Sequence, residues 1–340
     1  MGDILHTLPA VAALRAAVPE AKIGWVVEER WAELLAVSPA ARSGPRSPGR
    51  PLVDHLHLVN TKLWRTAMTS RQTWKQMAAA AREVRDQEYE VAIDFQGAIR
   101  SALIARIARA TTIYGFDRPR ESPARGFYHR RVPARGAHVV EQNLSLAEGL
   151  AQRGLETPAA VLPRDEAAER EWAGRLDHGK VGKFALLNPG AGWGAKQWPA
   201  ERYGRVAQML ARDGVTPLIN SGPGEQDLAK TVREISGGVA EVVACSITQL
   251  IALTRRASLF IGGDTGPMHL AAALGIPVAA IFGPTNPARN GPFGTNSIVL
   301  RSSSSQTSHK RRPQPEQGLL EITADQVIAA ARRLLENPRG

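Results

Sequence analysis

Residues 262–285, GGDTGPMHLAAALGIPVAAIFGPT, decide the fold. Ahead of them the apolar run SLFI ends in Gly262 and Gly263, a helical segment opens near Pro267, and a second apolar run, VAAIFGP, begins at Val278. Strand, glycine turn, helix and strand in that order make the unit of a parallel sheet. Pro267 suits a first helical turn, and Asp264 or Thr265 can cap it. Backbone N–H groups at Thr265, Gly266 and the first turn then point out of the helix end, where they and the helix dipole stabilise an anion. Gly266 lets a phosphate come close. An ordinary strand-to-helix turn has the same spacing, so the neighbouring segments must decide.

Two further strand ends favour a nucleotide pocket. NPGAGWGAKQWP, residues 188–199, leaves a strand through glycines and delivers Lys196 just before Trp198 and Pro199, which open the next helix. A lysine there can neutralise a leaving phosphate. NSGPGE, residues 220–225, places Glu225 where it can accept hydrogen bonds from ribose hydroxyls. His269 falls on the first turn of the phosphate helix, within reach of the same anion. No Asp-x-Asp pair of the kind that holds a divalent cation under a sugar diphosphate occurs, and His55-x-His57 lacks a third ligand nearby, so no metal is expected.

Working outward, FALLNPG, TPLINSG, AEVVA, SLFIGGD and VAAIFGP are short apolar runs that alternate with helical segments through the second half. The first half repeats the pattern with a helix from about Leu5, strand-like KIGWVV, HLHLV and VAIDF, and helices at Trp74–Arg85, Ser101–Ile107 and His138–Arg153. The expected fold class is therefore α/β, with two doubly wound domains in tandem and ligands outside the carboxyl ends of the strands. We divide the chain into a first domain at 1–155, a Pro-rich and charged linker at 156–182, a second domain at 183–318, and a carboxyl-terminal helix at 319–340, most of it Ala324–Glu336. Residues 39–51 and the basic stretch 301–317 lack any packing pattern and read as loops.

With 340 residues there is enough chain for two cores. The formal charge of +11 attracts polyanions, whether phosphorylated substrate, anionic lipid or nucleic acid. Basic residues are spread over both halves without an aromatic-interleaved stripe, which argues against nucleic acid. The single cysteine, Cys245, excludes an internal disulfide and a cysteine metal cluster and points to a reducing compartment. No apolar run is long enough to span a bilayer.

MGDILHTLPAVAALRAAVP at the start, DFQGAIRSA and RESPARGFYHRR in the middle, the KQWP turn and GDTGPMHLAAALG together resemble the ADP-heptose:lipopolysaccharide heptosyltransferases, glycosyltransferase family 9. WVVEE, DFQG and FYHRR look closest to the heptosyltransferase I branch, which adds the first heptose to the Kdo sugar of the inner core. The alternatives are another nucleotide-sugar enzyme of the same fold, such as heptosyltransferase II or an epimerase, or an inactive copy.

The resemblance implies a GT-B fold, with two Rossmann-like domains facing across a cleft, and an inverting transfer that needs no metal or other cofactor. Asp3 is then the base that deprotonates the acceptor hydroxyl, and Lys196 its cationic counterpart at the phosphates. Carried over by position, donor contacts fall at Ala191, Gly192, Lys196, Glu225, Ile247, Asp264, Thr265, Gly266 and His269. Ala191 and Gly192 replace hydroxyl residues, so phosphate contact there falls to backbone N–H groups. On the acceptor side Arg120 and His138 match and Lys62 stands where the family has an arginine, while Leu63 and Thr66 replace basic residues. The implied partners are ADP-heptose, a Kdo-lipid A acceptor and the anionic cytoplasmic face of the inner membrane, where Arg120, Arg125, Arg130, Arg131 and Arg135 could lie. A monomer is expected. The family also carries an apolar strand ahead of its MGD turn, central in a doubly wound sheet; the resemblance thus implies that Met1 is an internal methionine of the reading frame.

Overall fold

A computed structural model describes residues 1–67, 69–308 and 310–337. Residue 309 of the basic stretch and residues 338–340 of the expected terminal helix therefore lie outside the described residues. The chain forms two compact units, one running from Asp3 to Pro163 and the other from Arg164 to the carboxyl end.

The second unit contains α6 (Glu166–His178), β6 (Phe184–Asn188), α7 (Ala200–Arg212), β7 (Thr216–Asn220), α8 (Gln226–Ile235), β8 (Glu241–Val243) and α9 (Ile247–Thr254). It continues through β9 (Leu259–Gly263), α10 (Gly266–Ala273), β10 (Val278–Phe282), α11 (Pro287–Asn290), β11 (Ser297–Arg301) and α12 (Ala324–Glu336). Its parallel sheet has the order β11-β10-β9-β6-β7-β8. Read from β8, this is the 3-2-1-4-5-6 order of a doubly wound sheet, whose direction reverses between β6 and β9.

All five residues of β6, β9 and β10 are buried, as strands covered on both faces must be. α7 turns Tyr203, Val206, Ala207 and Leu210 inward at helical spacing. They pack with Val327, Ile328, Ala331 and Leu334 of α12 against Leu187, Leu259 and Ile261 of the sheet, so the terminal helix belongs to this core.

Where a linker was expected at 156–182, the structure has a boundary at Pro163 and a capped helix. Asp165 accepts hydrogen bonds from Ala167 N (2.9 Å) and Ala168 N (3.3 Å) at the start of α6. Buried Glu169 binds Arg255 (3.2 Å) and Arg256 just beyond α9. The Pro-rich composition holds only for the residues before α6.

The first unit runs α1 (Gly2–Ala17), β1 (Gly24–Glu28), β2 (His55–Val59), α2 (Thr61–Thr66), α3 (Arg71–Arg85), β3 (Val91–Asp94), α4 (Ile99–Ile107), β4 (Thr112–Phe116), β5 (Arg130–Val132) and α5 (Val139–Ala151). Its strands are parallel but form two sheets, β1-β2 and β3-β4-β5, and not the single sheet expected. α1 is buried continuously from Leu5 to Arg15; Ala10 and Leu14 pack with Ile93, Phe95 and Ala147. The buried Arg15 guanidinium is satisfied by Asp54 Oδ2 (2.5 Å), Leu52 O (3.0 Å), Pro19 O (3.0 Å) and Ala21 O (2.5 Å).

Both stretches expected to be unpacked loops are docked. In 39–51, buried Arg50 donates to Arg42 O at 3.1 Å and to Ala41 O, and Leu56 N donates to Arg42 O at 2.7 Å. In 301–317, Ser308 N donates to Pro284 O at 2.8 Å, and Arg301 Nε donates to Gly283 O at 3.2 Å. These contacts run through backbone carbonyls, which leave no mark on side-chain pattern. No helix among the described residues is long and apolar enough to cross a membrane.

Candidate functional site

The carboxyl ends of β6 and β9, where the strand order reverses, carry the second unit's site. Each apolar strand there ends in a residue that ties it to its neighbour. Asn220, closing β7, donates to Asn188 Oδ1 at 2.7 Å. Asn188, closing β6, donates to Gly190 O at 3.0 Å and reaches Thr265 Oγ1 at 3.5 Å. Both asparagines are buried, so their amides are ordered by these bonds. The sequence signal for this pair is an amide closing an apolar run, as in FALLN and TPLIN.

Beyond Asn188 the chain passes through Ala191 and exposed Gly192 into a short 3₁₀ turn, Gly194–Lys196. Trp198 anchors the turn: its ring is fully buried edge-on to Tyr203, and Nε1 donates to Ile322 O at 3.0 Å. Lys196 therefore projects from a fixed turn. Its Nζ lies 2.5 Å from Asp264 Oδ2 and 5.4 Å from the centre of the Trp193 ring.

Asp264 follows β9. Thr265 is the N-cap residue of α10, but its hydroxyl donates to Gly263 O (3.3 Å) and caps no helix N–H. Asp264 does not cap either, because its carboxylate is engaged by Lys196 and by His269 Nε2 at 3.0 Å from Oδ1. Burial alone would push the Asp264 carboxyl up; the hydrogen bond and charge of His269, and then Lys196, outweigh it and hold the group well below the usual carboxylate range. The N–H groups of the first turn of α10, at Gly266 and Met268 because Pro267 has none, receive no cap from the Thr265 side chain and are donors for an anion. The structure thus brings Lys196, Asp264, Thr265, Gly266 and His269 together at one end of the sheet.

Glu225 and Ile247 reach the same edge from β7 and β8. Glu225 Oε2 accepts from Gly222 N at 2.9 Å, and its carboxylate lies against Gly190, where a Cβ would meet Oε1 at 2.0 Å. Gly190 is therefore needed for that approach. Ile247 opens α9 behind the Ser246–Gln249 capping box, half-buried and with no hydrogen bond to the other residues.

In the first unit, Asp3 is exposed in the first turn of α1, whose N-cap is Met1; it is not itself a cap. His6 and Thr7, one turn on, meet α5: Asn143 Nδ2 donates to His6 O (3.1 Å) and Thr7 Oγ1 (3.2 Å), and the His6 and His138 rings stand edge-on at 5.7 Å. His138 caps α5, its Nδ1 accepting from Val140 N at 3.1 Å. Asp3 and His138 accordingly belong to one neighbourhood.

Lys62 and Arg120 belong to another, at the ends of β2 and β4. Arg100 donates to Thr61 Oγ1 at 3.0 Å, and Glu121 joins the start of α4 through Ile99 N (2.8 Å) and Gly97 O (2.9 Å). Both cations are exposed. The organiser there is Asp94, which sequence reasoning missed as a functional element. Buried, it accepts from Gln96 N (3.0 Å), Gly97 N (3.1 Å), Ser101 Oγ (2.9 Å) and Tyr128 OH (2.7 Å). Burial, then the bond to Asp94, push the Tyr128 phenol far above its ordinary value. DFQG and FYHRR are thus two halves of one structure. His57 binds Tyr89 OH (2.8 Å) and Glu83 (3.2 Å), so its ring nitrogens are occupied within the fold.

Residues 77–320 match the family described as Glycosyltransferase family 9 (heptosyltransferase). The chain is 30% identical to lipopolysaccharide heptosyltransferase 1 of Pseudomonas aeruginosa, over 89% of this chain and 81% of that protein. It is also 30% identical to lipopolysaccharide heptosyltransferase 1 of Escherichia coli K12, over 89% of this chain and 91% of that one. In three dimensions it is similar to E. coli heptosyltransferase WaaC with ADP-2-deoxy-2-fluoro heptose, with a TM-score of 0.76 and 26% identity over 100% of this chain and 97% of that chain. The fold is thus of the GT-B type expected, and the chain belongs to glycosyltransferase family 9, the heptosyltransferases.

Proposed function

We propose that this protein moves heptose from ADP-heptose to the Kdo of a lipid A-linked inner core, as a heptosyltransferase I. The observation that carries the reading is Lys196, fixed beside Asp264 and His269 at the open N-terminus of α10. A cation and free N–H groups converge there at a strand-order reversal, the arrangement a diphosphate leaving group needs. Relatives that share most of this chain are named heptosyltransferase 1, and one similar structure holds an ADP-heptose analogue, which supports ADP-heptose as the donor.

Asp3 takes the proton from the acceptor hydroxyl, whose oxygen attacks the anomeric carbon. The bond to ADP breaks as the new glycosidic bond forms, the configuration inverts, and the bonding pair leaves on the β-phosphate. Lys196 and the α10 N–H groups stabilise that charge. Glu225 holds the ribose, and backbone N–H groups at Ala191 and Gly192 serve the phosphates. Because these donors come from the chain itself, the step proceeds without a metal. Lys62, Arg120 and His138 face the acceptor's carboxylates and phosphates.

Arg120, Arg125, Arg130, Arg131 and Arg135 are all exposed, though Arg125 is paired with Asp117 and Arg135 with Glu148. With a net charge of +11 they support a peripheral site on an anionic inner leaflet. Asp3→Asn tests the assignment: ADP affinity should be retained while transfer is lost, with wild-type transfer unchanged in EDTA. Equal transfer rates of Asp3→Asn and wild type would remove Asp3 as the base.

A further inference from the structure

The basic stretch near the carboxyl end is bonded to the turn that carries Lys196. Ala195 N donates to Arg312 O at 3.0 Å, and Ala195 O accepts from Glu316 N at 3.2 Å, so both polar groups of the residue before Lys196 are held by Lys310–Glu316. Gly194 leaves room for this contact: a Cβ there would lie 1.7 Å from Pro313 O. Glu316 anchors the far end, its carboxylate accepting from Leu319 N (2.9 Å), Ser305 Oγ (3.1 Å) and Gln306 N (3.4 Å). Ala195 is buried beneath, while Lys310, Arg311 and Arg312 are exposed on the outer side.

We propose that Lys310–Glu316 is a strap that positions Lys196, so that its closure and donor binding are coupled; Gly194 and Glu316 act through Lys196 and are positioning residues. The inference rests on the reading of this unit as an ADP-sugar site. A 3₁₀ turn of three residues has little internal bonding, and its outward conformation depends on what pins it. Coupling of two sites is reciprocal: ADP that engages Lys196 must oppose opening of the strap, and an open strap must weaken ADP.

Trypsin reads the opening directly, since it can cut after Lys310 and Arg311, whereas Arg312 precedes Pro313. The intact protein is digested with and without saturating ADP, cuts are located by mass spectrometry, and cleavage after Arg42 or Arg46 serves as control. The strap predicts ADP protection of on the order of fivefold or more after Lys310 and Arg311, with the control cuts unchanged. Glu316→Ala should weaken ADP about tenfold, yet cost nothing further in a Lys196→Ala background, because the two act as one unit. Equal cleavage with and without ADP in a protein that binds ADP overturns the strap. An equal Glu316→Ala penalty with and without Lys196 overturns it as well, since the residue would then be merely structural. If the intact protein binds no ADP, the donor reading itself falls, and the strap with it.

Discussion

Lys196 Nζ stands 2.5 Å from Asp264 Oδ2, a pair formed between the loop after β6 and the loop after β9. The cation assigned to the diphosphate is thus oriented by a carboxylate whose other oxygen is held by His269 on the first turn of α10. Truncation should remove one charge-assisted hydrogen bond of about 1.5–3 kcal/mol. Lys196→Ala is expected to raise the ADP dissociation constant about 10- to 150-fold by calorimetry; an unchanged constant would place the diphosphate elsewhere.

Gly190 and Glu225 make a second test in the same unit. A methyl group at 190 would lie 2.0 Å from Glu225 Oε1, so Gly190→Ala must displace the carboxylate that is proposed to hold the ribose. ADP binding should weaken about tenfold. The loss should be smaller for 2′,3′-dideoxy-ADP, which has no ribose hydroxyls to offer. Equal losses for the two nucleotides would deny Glu225 that role.

Gly115 and Tyr128 test the first unit. A Cβ at 115 would meet the Tyr128 ring at 2.3 Å and push its hydroxyl from Asp94, so Gly115→Ala should destabilise this unit by about 1–3 kcal/mol. Tyr128→Phe, which keeps the ring, should cost less, about 1 kcal/mol. Thermal unfolding of the two variants checks the order, and the reverse order would contradict the packing.

His57 links this unit to pH. Burial pushes its ring below the ordinary value of 6.5, with Glu83 opposing and His55 and Arg42 adding to the fall; Tyr89 completes its surroundings. The unfolded chain then binds more protons than the folded one below 6.5. Stability from the buried neutral ring is present above that value and lost as the pH falls. The melting temperature should therefore drop between about pH 7 and about pH 5, and His57→Gln should flatten the slope. An identical slope in the variant would assign the effect to other groups.

The second unit was far more legible in the sequence than the first. Its inner strands are apolar runs closed by Asn188, by Gly263 and, just past Phe282, by Gly283, and α12 begins and ends at the residues its amphipathic pattern marks. Of the strands outside the sequence reading, β5 has three residues, RRV, and β11 is a half-exposed edge, whereas β4, TIYGF, has an apolar buried centre. The linker expected over 156–182 covers α6, whose amphipathic pattern is masked by a charged residue, Glu169, at one of its few buried positions. The candidate site was legible where charge and glycine mark it. What escaped is held by backbone bonds and buried amides, as at Ala195, Asn188 and Asp94, where neighbours distant in sequence set the role.

Transfer itself tests the central claim most directly. The purified protein is incubated with ADP-heptose and Kdo2-lipid A, and the lipid product is weighed by mass spectrometry, with Lys196→Ala in parallel. The account predicts a gain of one heptose, strongly reduced in the variant. A lipid of unchanged mass from active-folded wild type, or product formed only from a different nucleotide sugar, would contradict it.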